Sequence, residues 1–222
     1  MALKMTSIVK NYIILCEGVD TVNFLLYYLC SKALNYDPRF ADDIQLFNFG
    51  GITDLSLFIR NLMSMENFDK VNAILIVRDA ETDVDKAISS VKIALKKSQL
   101  PVPDNCNLWK RDEENNIKVA FTLMPMCSSN PTTGALEDLC WNILANDPRH
   151  EMRSDVTSFV SRMKEKYHRI SAHEHKSKLH SFFSVNENLI SLKIGEASRA
   201  GAFDWNSNYL QPLKDIIEQG FV

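Results

Sequence analysis

Acidic side chains follow two apolar runs of this sequence, at the points where buried strands would end. The first run, YIILCEG, ends in Glu17 and Gly18. The second, VNAILIVRDAETD, ends in Asp79, Glu81 and Asp83. Ligands of open α/β sheets bind outside the carboxyl ends of the strands, so these acids are expected to meet at one edge. Asp79 and Glu81 stand two apart, and on an extended chain such residues point the same way.

Carboxylates gathered at one edge predict a divalent-cation site. Clustered carboxylates repel one another unless they are protonated or neutralised, and carboxylate with water ligation suits Mg²⁺ or Mn²⁺. Gly18 would leave room for a phosphate to approach the backbone. The alternative is helix N-capping, which suits Asp20 and Asp83 at strand-to-helix junctions. Capping does not explain Glu17, because glutamate is not a preferred cap residue.

The composition is that of an ordinary globular protein. Of the 222 residues, 45% are hydrophobic and 24% are charged, enough for one substantial core. No stretch approaches the ~20 apolar residues that span a membrane, and MALKMTSIVKNY lacks the apolar segment of a signal peptide. Five dispersed cysteines argue against a disulfide framework and a structural zinc site. A cytoplasmic protein is therefore expected. The absence of glycine-rich nucleotide-binding loops disfavours a nucleotide-cofactor enzyme.

Positive charge is concentrated in one segment. Residues 149–180 contain eight Lys or Arg, four Asp or Glu and all five histidines. This segment has a net charge of +4, although the whole chain has −3. A local basic face can bind nucleic acid even on an acidic protein, because the phosphate backbone responds to local charge. An ordinary solvated helical surface is the alternative.

The order of apolar and amphipathic segments predicts an α/β fold. Three strand–helix units come first, which favours a mainly parallel sheet flanked by helices on both faces. Two strands around DEENN, a helix in TTGALEDLCWNILA and a final helix in NSNYLQPLKDIIEQG follow. The stretch LISLKIGEASRAGAFDW predicts only a short strand or a loop. We expect a single domain over residues 1–222, with a core of 10–147 and 186–222 and a helical basic insertion over 148–185.

The motifs, taken in order, resemble those of Toprim domains. A strand ending in Glu-Gly and a later strand ending in Asp-x-Asp are typical of Toprim topoisomerases, primases, recombination proteins and the overcoming-lysogenization-defect (OLD) nucleases. Here they read IILCEGVDTVNFL and ILIVRDAETD. TTGALEDLCWNIL and HKSKLHSFFSV are similar to two helices of a small standalone Toprim-like family related to the OLD nucleases. The resemblance extends from about Tyr12 to the C-terminal helix and implies a Toprim/Rossmann-like sheet.

The resemblance assigns roles to the acids at the strand ends. Glu17 would be a metal ligand and a general base. Asp79 and Glu81 would occupy the two acidic positions of the second motif, with Glu81 standing where the family has Asp. Thr21 stands near a position where related nucleases carry another acid, and the adjacent Asp20 is the candidate substitute.

The resemblance also implies roles for residues later in the chain. Glu137 and Asp138 would be ligands of a second ion, and their alternative role is favourable placement at a helix N-terminus. Lys176 or Lys178 matches the family lysine. A lysine facing such a site would neutralise the charge that develops during phosphodiester cleavage.

The implied function is a Mg²⁺ (or Mn²⁺) dependent nuclease acting on DNA or RNA, in phage defence. Any ATP dependence would come from an ATPase partner, since the chain has no ATP-binding loop of its own. A noncatalytic nucleic-acid- or partner-binding module with a degenerate metal site is the alternative, and a phosphatase-like enzyme for a small substrate is a third interpretation. The apolar stretch FLLYYL suits an interface between copies as well as a core, which leaves a homo-oligomer open.

Overall fold

Five strands form one sheet in the computed structural model, which describes residues 7–30, 43–144, 150–168 and 174–221. In chain order the strands are β1 (Tyr12–Glu17), β2 (Ile44–Gly50), β3 (Ala73–Asp79), β4 (Lys110–Asp112) and β5 (Ile117–Met124). Their order in the sheet is β2-β1-β3-β5-β4. Neighbouring strands are parallel except for β4, which runs antiparallel to β5. The prediction of a mainly parallel α/β sheet is confirmed.

Eight α-helices lie in the described residues. They are α1 (Val19–Leu29), α2 (Leu55–Met63), α3 (Val84–Lys97), α4 (Leu136–Asn142), α5 (His150–Tyr167), α6 (Glu174–Val185), α7 (Ile194–Arg199) and α8 (Gln211–Gly220). The prediction of only a strand or loop in this part of the chain is wrong for α7. This helix forms because Glu196 Oε2 accepts a hydrogen bond from Lys193 N at 2.8 Å, and its small residues allow close packing.

The two faces of the sheet bury separate hydrophobic clusters, which explains why β1 and β3 are apolar throughout. Ile13 and Leu15 of β1 point to the side covered by α2 and α3, which we call the α3 face. Ile14 and Cys16 point to the side covered by α1 and α4 to α8, which we call the α4 face. Four of the five cysteines are buried, and Cys30 is exposed.

The basic segment contributes two helices to the α4 face. Apolar side chains of these two helices pack in the cluster that contains Ile14 and Cys16 of β1; they are Val156, Val160, Leu179, Phe182 and Phe183. Part of its positive charge is compensated locally, because Glu174 lies 2.8 Å from Lys164 Nζ and 2.9 Å from Lys178 Nζ. Arg149, Arg169 and His173 lie outside the described residues. None of the helices that the structure describes is both long and apolar enough to cross a membrane.

Candidate functional site

A glycine and a buried threonine build the turn between β1 and α1. Gly18 has φ +83°, a conformation that side chains other than glycine's rarely adopt. Thr21 is 3% exposed, and its Oγ1 donates a hydrogen bond of 2.8 Å to the Glu17 carbonyl oxygen. Thr21, which stands near the position where related nucleases carry another acid, therefore stabilises the turn between β1 and α1 that holds Glu17.

The Glu17 carboxylate contacts a buried arginine on the α3 face. Glu17 Oε2 lies 3.3 Å from Arg78 Nε and accepts a hydrogen bond from Asp79 N, also at 3.3 Å. The Arg78 side chain is 5% exposed, and its Nη1 donates to Ala87 O at 3.3 Å and to Ser90 Oγ at 2.5 Å. Burial raises the pKa of Glu17, and the guanidinium of Arg78 opposes that rise. Glu17 therefore has a positive partner within the protein.

Asp79 extends from β3 to the opposite side, the α4 face. Its Oδ1 accepts a hydrogen bond of 2.9 Å from Leu136 N, at the start of α4. Burial is the main cause that raises the pKa of Asp79 to about 7, and the neighbouring carboxylates of Glu137 and Glu17 add to it. Near neutral pH this carboxyl group therefore holds its proton part of the time unless a cation compensates it.

Asp20 and Glu137 lie on the same face as Asp79. Glu137 is 9% exposed in the first turn of α4, and its Oε1 lies 3.5 Å from Lys176 Nζ. Asp20 lies in the first turn of α1. Burial is the main cause that raises its pKa, the charge of Glu137 raises it further, and the charge of Lys193 lowers it. We call Asp20, Asp79 and Glu137 the acidic group. They come from three separate segments, which the sheet edge brings together.

Glu81 lies beyond the end of β3, so the alternation argument for it is wrong. Its φ is +56°, and the strand ends at Asp79. Its backbone pairs with Gly134 through two hydrogen bonds of 2.8 Å. Gly134 has φ +136°, a conformation that other residues rarely adopt, and a Cβ there would lie 3.0 Å from Pro125 Cδ, so this position needs glycine. The exposed Glu81 thus ties the loop after β3 to the start of α4 through its main chain.

Three other residues predicted for the site have local partners. Asp83 Oδ1 accepts a hydrogen bond from Lys86 N at 3.0 Å and caps α3. Asp138 Oδ2 accepts one from Ala135 N at 2.9 Å, and it lies 3.4 Å from the Nδ1 atom of a histidine on α6. Lys178 pairs with an acid of its own helix. Asp83 is therefore a helix cap, Asp138 serves in part as one, and of the two candidate lysines Lys176 contacts the acidic group.

Sequence reasoning missed Arg78. The signal was present, since this arginine interrupts an otherwise apolar strand just before Asp79. A charge in a buried strand requires a partner, because an unpaired buried charge is very costly. The partner is Glu17, at the end of the adjacent parallel strand.

The donor atoms of the acidic group suit a hard divalent cation in kind. All are carboxylate oxygens, and the pKa values of Asp20 and Asp79 are raised, which indicates incomplete compensation of their charge. As the side chains stand, no set of three or more Asp, Glu, His or Cys among the described residues is placed to hold a metal ion. The donor atoms fit a divalent cation by their chemistry. Their present positions do not, so the carboxylates would have to turn toward the ion to bind it.

A family model described as "Protein of unknown function (DUF3226)" matches residues 11–222. The chain belongs to this family. The matched region contains every residue of the candidate site. No curated protein matches the chain.

One similar solved structure is the C-terminal region of the Xanthomonas campestris pv. campestris OLD protein. The two chains are 13% identical, 95% of each is covered, and the TM-score is 0.41. A likeness this weak carries no argument, and the fold described above rests on the strand order and register of the chain's own sheet.

Proposed function

We propose that this chain is a divalent-metal-dependent enzyme that cleaves phosphodiester bonds in nucleic acid. The observation that carries the proposal is the acidic group at the carboxyl edge of the parallel sheet. Asp20 and Asp79 are partly buried, and the charge of Glu137 adds to the burial that raises the pKa of both, which favours the binding of a cation. The resemblance of the strand-end motifs to Toprim nucleases supports the same conclusion.

Asp20, Asp79 and Glu137 would hold Mg²⁺ or Mn²⁺, with Glu17 and Glu81 at the margin. When bound, such an ion supplies Lewis-acid polarisation of the phosphoryl group and a more acidic water. The chain itself supplies orientation, because the hydrogen bond from Leu136 N to Asp79 Oδ1 holds that carboxylate in place at 2.9 Å.

Open space at Gly18 and a lysine beside the acidic group suit a phosphodiester substrate. Nothing lies within 4 Å of where a Cβ at Gly18 would be, so a phosphate has room to approach. The Lys176 side chain is 46% exposed beside Glu137, where it would neutralise charge on that phosphate. Exposed cations of α5, such as Arg162 and Lys166, would hold the nucleic-acid backbone. The motif resemblance supports two further proposals, an ATPase partner and a role in phage defence. The apolar FLLYYL stretch supports a third, a homo-oligomer.

The test is a cleavage assay on supercoiled DNA, linear DNA and structured RNA with Mg²⁺ or Mn²⁺. Glu17→Gln and Asp79→Asn are expected to abolish cleavage while circular dichroism shows a folded chain. Asp83→Asn is the matched control, because asparagine also caps helices and activity should be retained. Metal-dependent cleavage that survives both site substitutions would contradict the assignment.

A noncatalytic nucleic-acid-binding module is the second candidate. It is favoured by the Arg78–Glu17 contact of 3.3 Å, which compensates one strand-end acid without any metal. This candidate predicts nucleic-acid binding that persists in EDTA and is unaffected by Asp79→Asn. Calorimetry would then detect no uptake of Mg²⁺ or Mn²⁺.

A further inference from the structure

Arg78 is a permanent positive charge held rigidly at the carboxylate edge. An arginine guanidinium stays protonated in proteins, so this charge is present at every working pH. Its Nη1 is bound by Ala87 O and Ser90 Oγ of α3, and its Nε donates to Asp79 O at 3.1 Å. These contacts come from a helix and a strand end, so the guanidinium is anchored on both sides of the Glu17 contact.

The space beside Glu17 on the α3 face is therefore already occupied by a cation. Glu17 Oε2 is 3.3 Å from Arg78 Nε, and the two side chains are 17% and 5% exposed. A divalent ion placed against the same carboxylate oxygen would lie next to the guanidinium. Like charges at such a separation repel strongly where water is largely excluded.

The acidic group on the α4 face has no comparable anchored cation among the residues that the structure describes. Lys176 approaches Glu137 at 3.5 Å and the charge of Lys193 acts on Asp20, but both lysine side chains are exposed. An exposed lysine compensates buried carboxylates weakly because solvent screens the interaction. The two faces of one edge thus differ in the positive charge that the fold itself provides.

We infer that Arg78 supplies, beside Glu17, the fixed positive charge that a second divalent ion would otherwise supply. The chain would then bind a single divalent ion, on the α4 face, with Arg78 as the fixed second charge. This inference rests on the proposed function and specifies its metal stoichiometry.

Calorimetric titration of Mn²⁺ into the purified full chain tests this inference. We expect one ion per chain in the wild type. Arg78→Met, which removes the charge but keeps much of the side-chain volume, should take up a second ion or bind the first roughly tenfold more tightly. Arg78→Lys is the matched control and should stay close to the wild type, because it keeps the positive charge.

A second measurement needs no variant. In electron paramagnetic resonance, the wild type saturated with Mn²⁺ should give the spectrum of an isolated ion. A spin-coupled pair of ions, or two ions by calorimetry, would overturn the inference and leave the proposed enzyme standing. Unchanged or weaker binding by a folded Arg78→Met protein would also overturn it, since Arg78 would then only position Glu17. No ion uptake by the wild type would remove the metal-dependent function and the inference together.

Discussion

The two sides of the carboxylate edge compensate negative charge in different ways. On the α3 face, one acid, Glu17, contacts a buried guanidinium that is itself held by hydrogen bonds. On the α4 face, Asp20, Asp79 and Glu137 lie near an exposed lysine, and the pKa of Asp79 is raised to about 7. The first side has an anchored positive partner, although burial still raises the pKa of Glu17, whereas the second side has only exposed lysines nearby.

This difference shows where a cation would do most for the protein. Compensating a buried carboxylate that already has an arginine contributes little, whereas compensating a group of acids that repel one another contributes much. A ligand ion is therefore expected on the α4 face. The predictions below test whether the two sides are as unequal as their contacts indicate.

The largest effect on stability is expected from Arg78→Met in metal-free protein. The substitution leaves Glu17 without its cation and removes the hydrogen bonds that Arg78 Nη1 donates to Ala87 O and Ser90 Oγ. Breaking a buried ion pair by removing one partner costs about 3–5 kcal/mol of the free energy of unfolding. Chemical denaturation with a chelator present measures this, and Arg60→Met on the exposed side of α2 is the control. A loss no greater than that of the control would mean that the α3 face is not specially compensated.

The next effect concerns the α4 face and depends on pH. The pKa of Asp79 is about 7 in the folded chain, against an ordinary value of 3.8. Between these values the folded state binds more protons than the unfolded state, so stability falls as pH rises from about 4 to about 7. Asp79→Asn removes this penalty and should stabilise the metal-free protein by up to a few kcal/mol at pH 8, and far less at pH 4.

Thermal unfolding in EDTA across this pH range measures the Asp79 effect. Asp83→Asn is the matched control, because Asp83 is an exposed helix cap and asparagine also caps helices. A stability difference between Asp79→Asn and the wild type that stays constant from pH 4 to pH 8 would show that the α4 face is not short of positive charge.

The sequence predicted the parallel sheet and the strand ends because both depend on local pattern. Apolar runs that stop at Glu17 and Asp79 determine where β1 and β3 end, and these ends follow from periodicity and glycine placement. Helix α7 was missed because its six residues show little periodicity, and a cap at Glu196 with close packing stabilises them.

The division of the acids between two faces could not be predicted from spacing. Alternation places Asp79 opposite to Arg78, but the left-handed conformation of Glu81 ends that alternation, and no propensity forecast it. The approach of Asp20 to Glu137 depends on how α1 and α4 pack on the sheet. Long-range packing of this kind is not contained in any single segment of the sequence.

A smaller effect is expected at the corner that presents Glu17. Thr21→Val keeps the shape of the side chain but removes the 2.8 Å hydrogen bond to Glu17 O in a buried position. The expected loss is about 1–2 kcal/mol, since a buried acceptor loses its donor. Denaturant unfolding measures it, and Thr53→Val at the exposed start of the turn after β2 is the control. Equal losses in both variants would show that Thr21 does not specially support the corner.

The smallest effect on stability, and the sharpest on turnover, is expected from Lys176→Met. Lys176 is 46% exposed, so its 3.5 Å contact with Glu137 should contribute less than about 0.5 kcal/mol to folding. If this lysine neutralises charge on the phosphate, cleavage should slow by roughly 10–100-fold while Mn²⁺ affinity changes less than about threefold. Lys178→Met is the matched control on the same helix, because Lys178 pairs with Glu174 at 2.9 Å and its loss should leave the rate nearly unchanged. Equal slowing in both variants would instead attribute the effect to the general positive charge of α6, and the α4 face would then lack a dedicated lysine.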